Sequence, residues 1–504
     1  MSIIRNTLVY GLLLPDVARA KPSRRDKLTN IIHHANEHCP YYKGKYTHFL
    51  NCVKDFTQEE FNYAFDHLPI IHRNDLAAHS KQFQPETLKN TKNLLENGNL
   101  PPILTLIKNR VTNKDFAASV PLNAGTSRRW INRHDAGLYT HSILRAMKKN
   151  GWQRSQRFAS FMPQDTCFTS NLSHYKHSLK QMFGYTPISY TSLTKGTVEK
   201  LLKELKKTRT KMLLTAPGTL LRVAQIMKEE NIGPYPHLPA INLSGSPLLD
   251  CNKNIIMTMF PESDIQCSYG AKESGIIAHQ SSLKSFNYDV FDDLVYLEQG
   301  AGNTILLTTY WQESFPLIRY NTGDVGRIVT TKDGKQKIKS LEGRQADHII
   351  GADGYMYYPS FFNMFINEIN KALNDPIIDF KLRYGQIKGA PQLHLNFVLI
   401  DHSHKEKIKK TALDILQPVF SNYTHITIAF PNHIDHNATS KHKIIEDINT
   451  PLHTSGYDYV SQKEQSTKQW YSHPTREQDI KEQNREKEPE ERQNDAQQEK
   501  YNVQ

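Results

Sequence analysis

Apolar positions along the chain fall first into a helical rhythm. From Lys27 to Phe83 they recur at helical spacing with polar connections between, including "CPYYKGKY" and "LPIIHRNDL". A strand-rich zone from Ile103 to Ala124 interrupts the rhythm, which then returns. Leu138, Tyr139, Ser142, Ile143, Ala146 and Met147 share one side of a predicted helix that Asp135 caps and that runs to Lys149. Two strand–helix units follow. Thr197 is expected to cap a helix carrying Val198, Leu201, Leu202 and Leu205, and "KMLLTAPG" reads as a short strand stopped by Pro217 and Gly218. "TLLRVAQIMKEEN" is the next helix and "AINLSGSPL" a strand that ends at Ser244 and Gly245. Strands alternating with helices in this way predict a large layered α/β domain.

Past Gly343 the texture changes. "PSFFNMFINEINKAL" is helical; Ile378, Phe380, Leu382 and Tyr384 alternate, as do Leu393, Leu395, Phe397 and Leu399. A helix with Ile408, Ala412, Ile415 and Val419 precedes a last alternation through Ile426, Ile428 and Phe430. These elements predict a small α+β unit. After Pro451 the chain is rich in Gln, Glu, Lys, Asn and Arg, too poor in aliphatics to offset its ordering entropy, so a disordered tail is expected. The expected organisation is therefore residues 1–343, residues 344–450 and a tail of residues 451–504.

Composition adjusts this picture little. With 504 residues and 38% hydrophobic content, the mean hydropathy of −0.60 is low for a compact globule, and the polar tail accounts for part of that. The formal charge of +12 is spread along the folded body, and runs such as "KKTRTK" follow an amphipathic helix as a solvated end would. Charge alone is a thin argument for nucleic acid, and no specific nucleic-acid partner is expected. Cys39, Cys52, Cys167, Cys251 and Cys267 are odd in number and far apart, with no C-x-x-C spacing, which points away from zinc and disulfide frameworks and toward a reducing, cytoplasmic setting. No apolar run approaches the roughly 20 residues that span a bilayer. Arg5, "TLVYGLLL" and "ARA" imitate a secretion signal, but Pro15 and Asp16 intervene and a packed N-terminal arm is the preferred expectation.

Candidate chemistry lies in six polar stretches at strand ends and loops. They are "NAGTSRRW", "LSGSPL", "SYGAKESG", "FPLIRYNTGDVGRI", "LEGRQADHII" and "NATSKHKII", in that order. Each alone is ordinary turn chemistry. Their order and spacing resemble the adenylate-forming superfamily of acyl-CoA synthetases, luciferases and peptide-synthetase adenylation domains. Within it the chain looks most like phenylacetate-CoA ligases and their relatives associated with capsular polysaccharide genes. The resemblance runs from about Lys27 to Asp447.

That resemblance implies roles for particular residues. In the family a Ser/Thr/Gly loop written roughly [ST]-S-G-[ST]-T-G-K-P wraps the ATP phosphates. Here Gly125, Thr126 and Ser127 match it, Arg129 takes the lysine position, and Arg128 and Trp130 replace glycine and proline. Arg128 admits two readings, a bidentate phosphate contact or an obstruction of a turn that only glycine makes cheaply. Gly245 and Ser246 would sit beside adenine, Tyr269 and Gly270 would pack near the base, and Glu273 would hold Mg²⁺, a hard oxygen ligand for a hard cation. Lys272 stands where the family has a hydroxyl residue. Asp324 would accept hydrogen bonds from both ribose hydroxyls, and Arg344 would approach the ribose or the phosphates. Lys441 aligns with the catalytic lysine of the small domain, with Ser440 replacing glycine and Lys443 a possible substitute.

The function so implied is adenylation of a small-molecule carboxylic acid with ATP and Mg²⁺, followed by transfer to an acceptor. The acceptor stays open among coenzyme A, a carrier-protein thiol and a sugar amine or hydroxyl. No side-chain nucleophile is required, in keeping with the lack of a G-x-S-x-G elbow. Reorientation of the small domain would centre on Arg344 to Asp347, where Ala346 replaces a frequent acidic residue. Phe161, Tyr185 and Tyr190 are candidates for the acid pocket. The competing reading is a binding or scaffold protein on the same fold, favoured by the departures at Arg128, Trp130, Lys272, Ala346 and Ser440 and opposed by Glu273, Asp324, Arg344 and Lys441.

Overall fold

The computed structural model describes residues 22–86, 118–121, 128–131, 133–163, 184–280, 287–434 and 443–448. The N-terminal arm, the tail after Pro451, the loop residues Gly125 to Ser127 and Lys441 lie outside these residues.

The chain opens with helices α1 (Arg24–His38), α2 (Thr47–Cys52), α3 (Gln58–Asp66) and α4 (Arg73–His79). Ser23 and Thr57 start α1 and α3 as reciprocal capping boxes with Asp26 and Glu60, which satisfies amide groups that a helix start leaves unpaired. Strands β1 (Ala118–Pro121) and β2 (Arg128–Ile131) form an antiparallel pair of their own, and α5 (Arg133–Lys149) follows. Asp135 is not the cap of α5, because the helix begins two residues earlier. Its buried carboxylate instead accepts from the amide and hydroxyl of Ser314, fastening the helix to a distant loop.

A parallel block then builds up through β3 (Phe158–Pro163), β4 (Tyr185–Tyr190), α6 (Lys195–Thr208), β5 (Met212–Thr215), α7 (Pro217–Glu229), β6 (Ala240–Ser244), α8 (Asp250–Met259) and β7 (Asp264–Ala271). Thr194 rather than Thr197 caps α6; its side chain accepts from the Thr197 amide. From β7 onward the pairing is antiparallel, through β8 (Gly275–Gln280), β9 (Tyr288–Val290), β10 (Val295–Gln299), β11 (Thr304–Thr309), β12 (Tyr320–Thr330) and β13 (Gln336–Arg344). These strands make one sheet of eleven in the order β10-β11-β12-β13-β9-β8-β7-β6-β5-β3-β4. The predicted layered α/β architecture is therefore present. Its core holds the apolar faces of α1, α3, α6 and α7.

After the short pair β14 (Ile349–Ile350) and β15 (Met356–Tyr357) come α9 (Pro359–Leu373), β16 (Ile377–Ile387), β17 (Ala390–Leu399), α10 (Lys405–Val419), β18 (His425–Ala429) and β19 (Ile445–Asp447). The sheet order is β18-β17-β16-β19, and α9 and α10 bury Phe362, Ile366, Ile408 and Leu416 in a second core. Leu249 and Cys251 at the start of α8 belong to this second core, and Asn252 donates to the Ile378 carbonyl at 2.8 Å.

Arg319 anchors the start of β12. It adopts φ 49°, a left-handed backbone unusual for arginine, and is 7% exposed. Its Nε donates to Glu298 Oε1 at 2.9 Å, and one terminal nitrogen donates to the carbonyls of Asp66 and Leu68. Ile71 then bridges to the strand, its amide on the Arg319 carbonyl and its carbonyl accepting from Asn321. Arg319→Met should cost about 3–5 kcal/mol in urea unfolding, because it strands the Glu298 carboxylate inside the protein. Arg319→Met combined with Glu298→Met should recover most of that loss. A single variant within 1 kcal/mol of wild type, about the worth of an exposed pair, would show that the anchor is dispensable.

Candidate active site

The site is built where the parallel and antiparallel parts of the sheet meet. Open α/β sheets bind ligands at the carboxyl ends of their strands, and β6 and β7 both end here. After β6 the chain turns at Gly245 with φ 100°, in the left-handed region that glycine takes without strain. A Cβ there would meet nothing within 4 Å among the described residues. The next side chain, Ser246, has its Oγ buried and without a partner among the described residues.

β7 carries Tyr269 and Gly270 and turns at Ala271–Gly275 into β8. Gly270 is required by the turn itself: a Cβ would fall 2.1 Å from the Gly275 carbonyl oxygen. The turn presents Glu273, which is 4% exposed. Gln312 Nε2 donates to the Glu273 carbonyl at 2.6 Å, and the Tyr320 hydroxyl donates to its Oε1 at 3.0 Å. The other carboxylate oxygen, Oε2, is buried without a partner among the described residues. Burial, then the charge of Glu273, push the Tyr320 hydroxyl well above the ordinary tyrosine range, so it remains a donor.

β12 and β13 bring Asp324 and Arg344 into register opposite each other. Asp324 follows Gly323, whose φ of 73° lets the strand bend, and a Cβ on Gly323 would press within 3.2 Å of the Arg344 guanidinium. The Tyr269 hydroxyl donates to Asp324 Oδ2 at 2.8 Å, and Arg344 Nε lies 3.7 Å from Oδ1. Arg344 also donates to the Thr322 carbonyl at 3.0 Å. Burial pulls the Arg344 guanidinium down, but the charges of Asp324 and Asp347 outweigh it and hold its pKa above the ordinary value. Burial and then Asp324 raise the Tyr269 hydroxyl far above its usual range. Asp347 in turn lies 3.8 Å from Lys443, ahead of β19.

Tyr269, Glu273, Asp324 and Arg344 are thus drawn together from three separate stretches, with Gly245 and Ser246 at the neighbouring strand end. Arg129 lies in β2 paired with Val120, and Arg128 pairs with Pro121, so both arginines have extended backbone that any residue adopts. Two residues of the cluster went unsingled in the sequence. Tyr320 lies inside the quoted "RYNTGD", where its alternation with Thr322 gave a usable signal; Gln312 had none.

No family model matches the chain. An indoleacetate–lysine synthetase from Pseudomonas savastanoi is 26% identical over 195 residues, which are 37% of this chain and 47% of that protein, so the chain spans about half the length of this curated relative. Among solved structures, 2-hydroxyisobutyryl-CoA ligase in its postadenylation state with 2-HIB-AMP superposes with TM-score 0.59 at 15% identity, over 84% of this chain and 89% of that one. The same ligase with R3-HIB-AMP gives 0.58 over the same shares. The chain has the adenylate-forming fold. Within this fold the cluster lies at the junction of the two parts of the large sheet.

Glu273 fits a hard cation in one respect that can be checked: it is a buried carboxylate with one oxygen unpaired among the described residues. Glu273→Gln should leave the melting temperature of the ligand-free protein no lower, because Oε1 still accepts from Tyr320 and a buried charge is removed. If Glu273 holds Mg²⁺, a thermal gain given to wild type by Mg²⁺ and ATP should be absent in this variant. A loss of several degrees without ligand would instead make the carboxylate a structural support.

Proposed function

We propose that this protein activates a carboxylic acid. A carboxylate oxygen attacks the α-phosphorus of ATP, the bond from that phosphorus to the α,β-bridging oxygen breaks, and acyl-adenylate and pyrophosphate result. The acyl group then passes to a nucleophile, with AMP as the leaving group. The observation that carries this reading is Asp324, a carboxylate held between the Tyr269 hydroxyl and Arg344, on the strand whose Tyr320 bonds Glu273, a second carboxylate with one oxygen unpartnered among the described residues. An ionised carboxylate with two oxygens in one plane suits a vicinal diol. Both of its present partners are exchangeable donors that ribose hydroxyls can replace. The curated relative and the superposed ligases support the same chemistry by their names.

Each residue then has a task. Gly245 lets the base lie against backbone, Ser246 offers its unpartnered hydroxyl, and Tyr269 and Gly270 shape the wall beside it. Arg344 stabilises charge near the ribose and phosphates. Gly125, Thr126 and Ser127 would follow the departing pyrophosphate, with Arg129 supplying the charge that the family draws from lysine. Glu273 would hold Mg²⁺, which when bound neutralises phosphate charge. Lys441 would bridge the carboxylate and the α-phosphate. The two domains divide at Arg344, residues 1–343 and 344–450, and the small one turns about Arg344–Asp347 between half-reactions. Coenzyme A or a carrier-protein thiol remains one class of acceptor. An amine or hydroxyl is the other, the amine matching the lysine in the curated relative's name.

ATP–pyrophosphate exchange across a panel of carboxylates tests the reading. Asp324→Ala should weaken MgATP binding by roughly tenfold or more in calorimetry, as expected for lost charge-assisted hydrogen bonds. Unchanged affinity in the folded variant would remove Asp324 from the nucleotide site. No exchange with any acid, together with no MgATP binding by wild type, would leave a scaffold.

The arginine pair gives a separate expectation. Arg129→Ala should impair exchange strongly, whereas Arg128→Gly should change it little, since only the first replaces the family's positive charge. Full activity in Arg129→Ala would sink the phosphate role.

A further inference from the structure

A line of polar side chains, buried except at its exposed Asp264 end, runs across β6, β7 and β8 and has no part in the chemistry above. It starts at Asp264, whose Oδ2 accepts from Gln266 Nε2 at 2.7 Å. Gln266 Oε1 is 2.6 Å from His279 Nε2, His279 Nδ1 is 3.2 Å from Ser268 Oγ, and Ser268 Oγ is 3.0 Å from the Oδ1 end of the Asn242 amide. Asn242 is 5%, Ser268 5%, Gln266 6% and His279 1% exposed. The far end of the Asn242 amide is buried and has no partner among the described residues.

The direction of the protons along this line is fixed from its charged end. An ionised carboxylate only accepts, so Gln266 presents its N–H to Asp264 and its carbonyl to His279. His279 must therefore donate from Nε2. Burial and the charge of Lys149 push this histidine down to about 4, so at neutral pH it carries one proton and Nδ1 is an acceptor. Ser268 then donates its hydroxyl proton to Nδ1 and can only accept from Asn242. The two ends of an amide have nearly the same shape, and the hydrogen-bond network decides which is which. Here the N–H end must face Ser268, and the unpartnered end is the carbonyl. A buried carbonyl without a donor is costly, and the rest of the line is satisfied.

The free acceptor stands at a telling place. Asn242 is three residues before Gly245 on β6, about 10 Å along the strand, and Ser268 immediately precedes Tyr269. Side chains alternate along β7, so Ser268 and Gln266 lie on the face opposite Tyr269, the face that α5 covers with Ser142 on the β8 amide. A group bound beside the strand ends would have to extend back between this face and α5 to meet the Asn242 carbonyl, which is 5% exposed.

We propose that the acid activated by this protein carries a hydrogen-bond donor, an N–H or O–H on its organic part, which is received by the Asn242 side-chain carbonyl. The inference rests on the adenylation reading and names its substrate class. A site built with a committed acceptor rejects a ligand that lacks the donor more strongly than an apolar pocket could, because the carbonyl is left buried and unpaired. The line from Asp264 holds the amide in one orientation, so the acceptor cannot rotate to become a donor.

Calorimetric binding of matched acids to the full chain, alongside exchange measurements, tests this. The pairs are para-hydroxyphenylacetate against its O-methyl ether and indoleacetate against N-methylindoleacetate. Wild type should prefer the donor-bearing member of at least one pair by about tenfold or more. Asn242→Asp, which keeps an acceptor, should retain the preference, and Asn242→Leu should abolish it. Equal binding within both pairs, preference for the methylated members, or no binding of any of the four overturns the inference. A clear preference with no pyrophosphate exchange supports the donor pocket and removes the adenylation reading, so the two failures are distinct.

Discussion

The position of Arg319 governs the rest of the site. Its guanidinium is shared between Glu298 on β10 and two carbonyls at the end of α3, and its backbone sits in the left-handed region immediately before β12. That combination fixes where β12 starts and which face its residues take. One residue on, Tyr320 reaches Glu273; five residues on, Asp324 meets Tyr269 and Arg344. A slip of one residue would exchange the faces of Tyr320 and Asn321 and separate all these groups. Burial pushes Glu298 up to about 7 despite the arginine beside it, so the anchor carries a desolvation cost. Such a pair does better at specifying one register than at stabilising the fold.

The same logic explains the glycines of the cluster. Gly323 provides the bend that lets Asp324 face Arg344, and Gly270 allows β7 and β8 to approach until the Gly275 carbonyl occupies the space of a side chain. Both are demands of backbone geometry. Gly245 differs, because none of the described residues fills the space beside it. Of the three, its freedom alone is the kind a ligand would use.

Much of the fold was legible because helix and strand periods survive in single stretches. The alternations from Ile378 to Leu399 and the run from Leu138 to Met147 each record a face buried against one neighbour. The strand-end motifs were legible because glycine, serine and acid in short order mark turns. What stayed hidden depends on distant partners. Asp135 looked like a cap since its type suits one, yet its bonds go to Ser314, 179 residues away. Thr194 and Thr197 are both good caps, and only the start of α6 decides between them. Gln312 and the Asp264–Asn242 line could not be foreseen from residue type, because a buried polar side chain shows its purpose only beside its partners.

Arg344 is where the side-chain cluster meets the segment that leads into the small sheet. Its charge answers to Asp324 on one side and Asp347 on the other, and Asp347 lies near Lys443 ahead of β19. On the adenylation reading, ribose hydroxyls compete with Tyr269 and Arg344 for Asp324. Any weakening of the Asp324–Arg344 contact shifts the guanidinium's balance toward Asp347, which then has less field left for Lys443. Linkage is reciprocal, so an orientation of the small domain that separates Lys443 from Asp347 must change nucleotide affinity by the same factor that nucleotide changes the orientation. Ala346, uncharged where the family often has an acid, leaves Asp347 as the carboxylate of this segment. The coupling between half-reactions would then run through Asp347 rather than through the position the family uses.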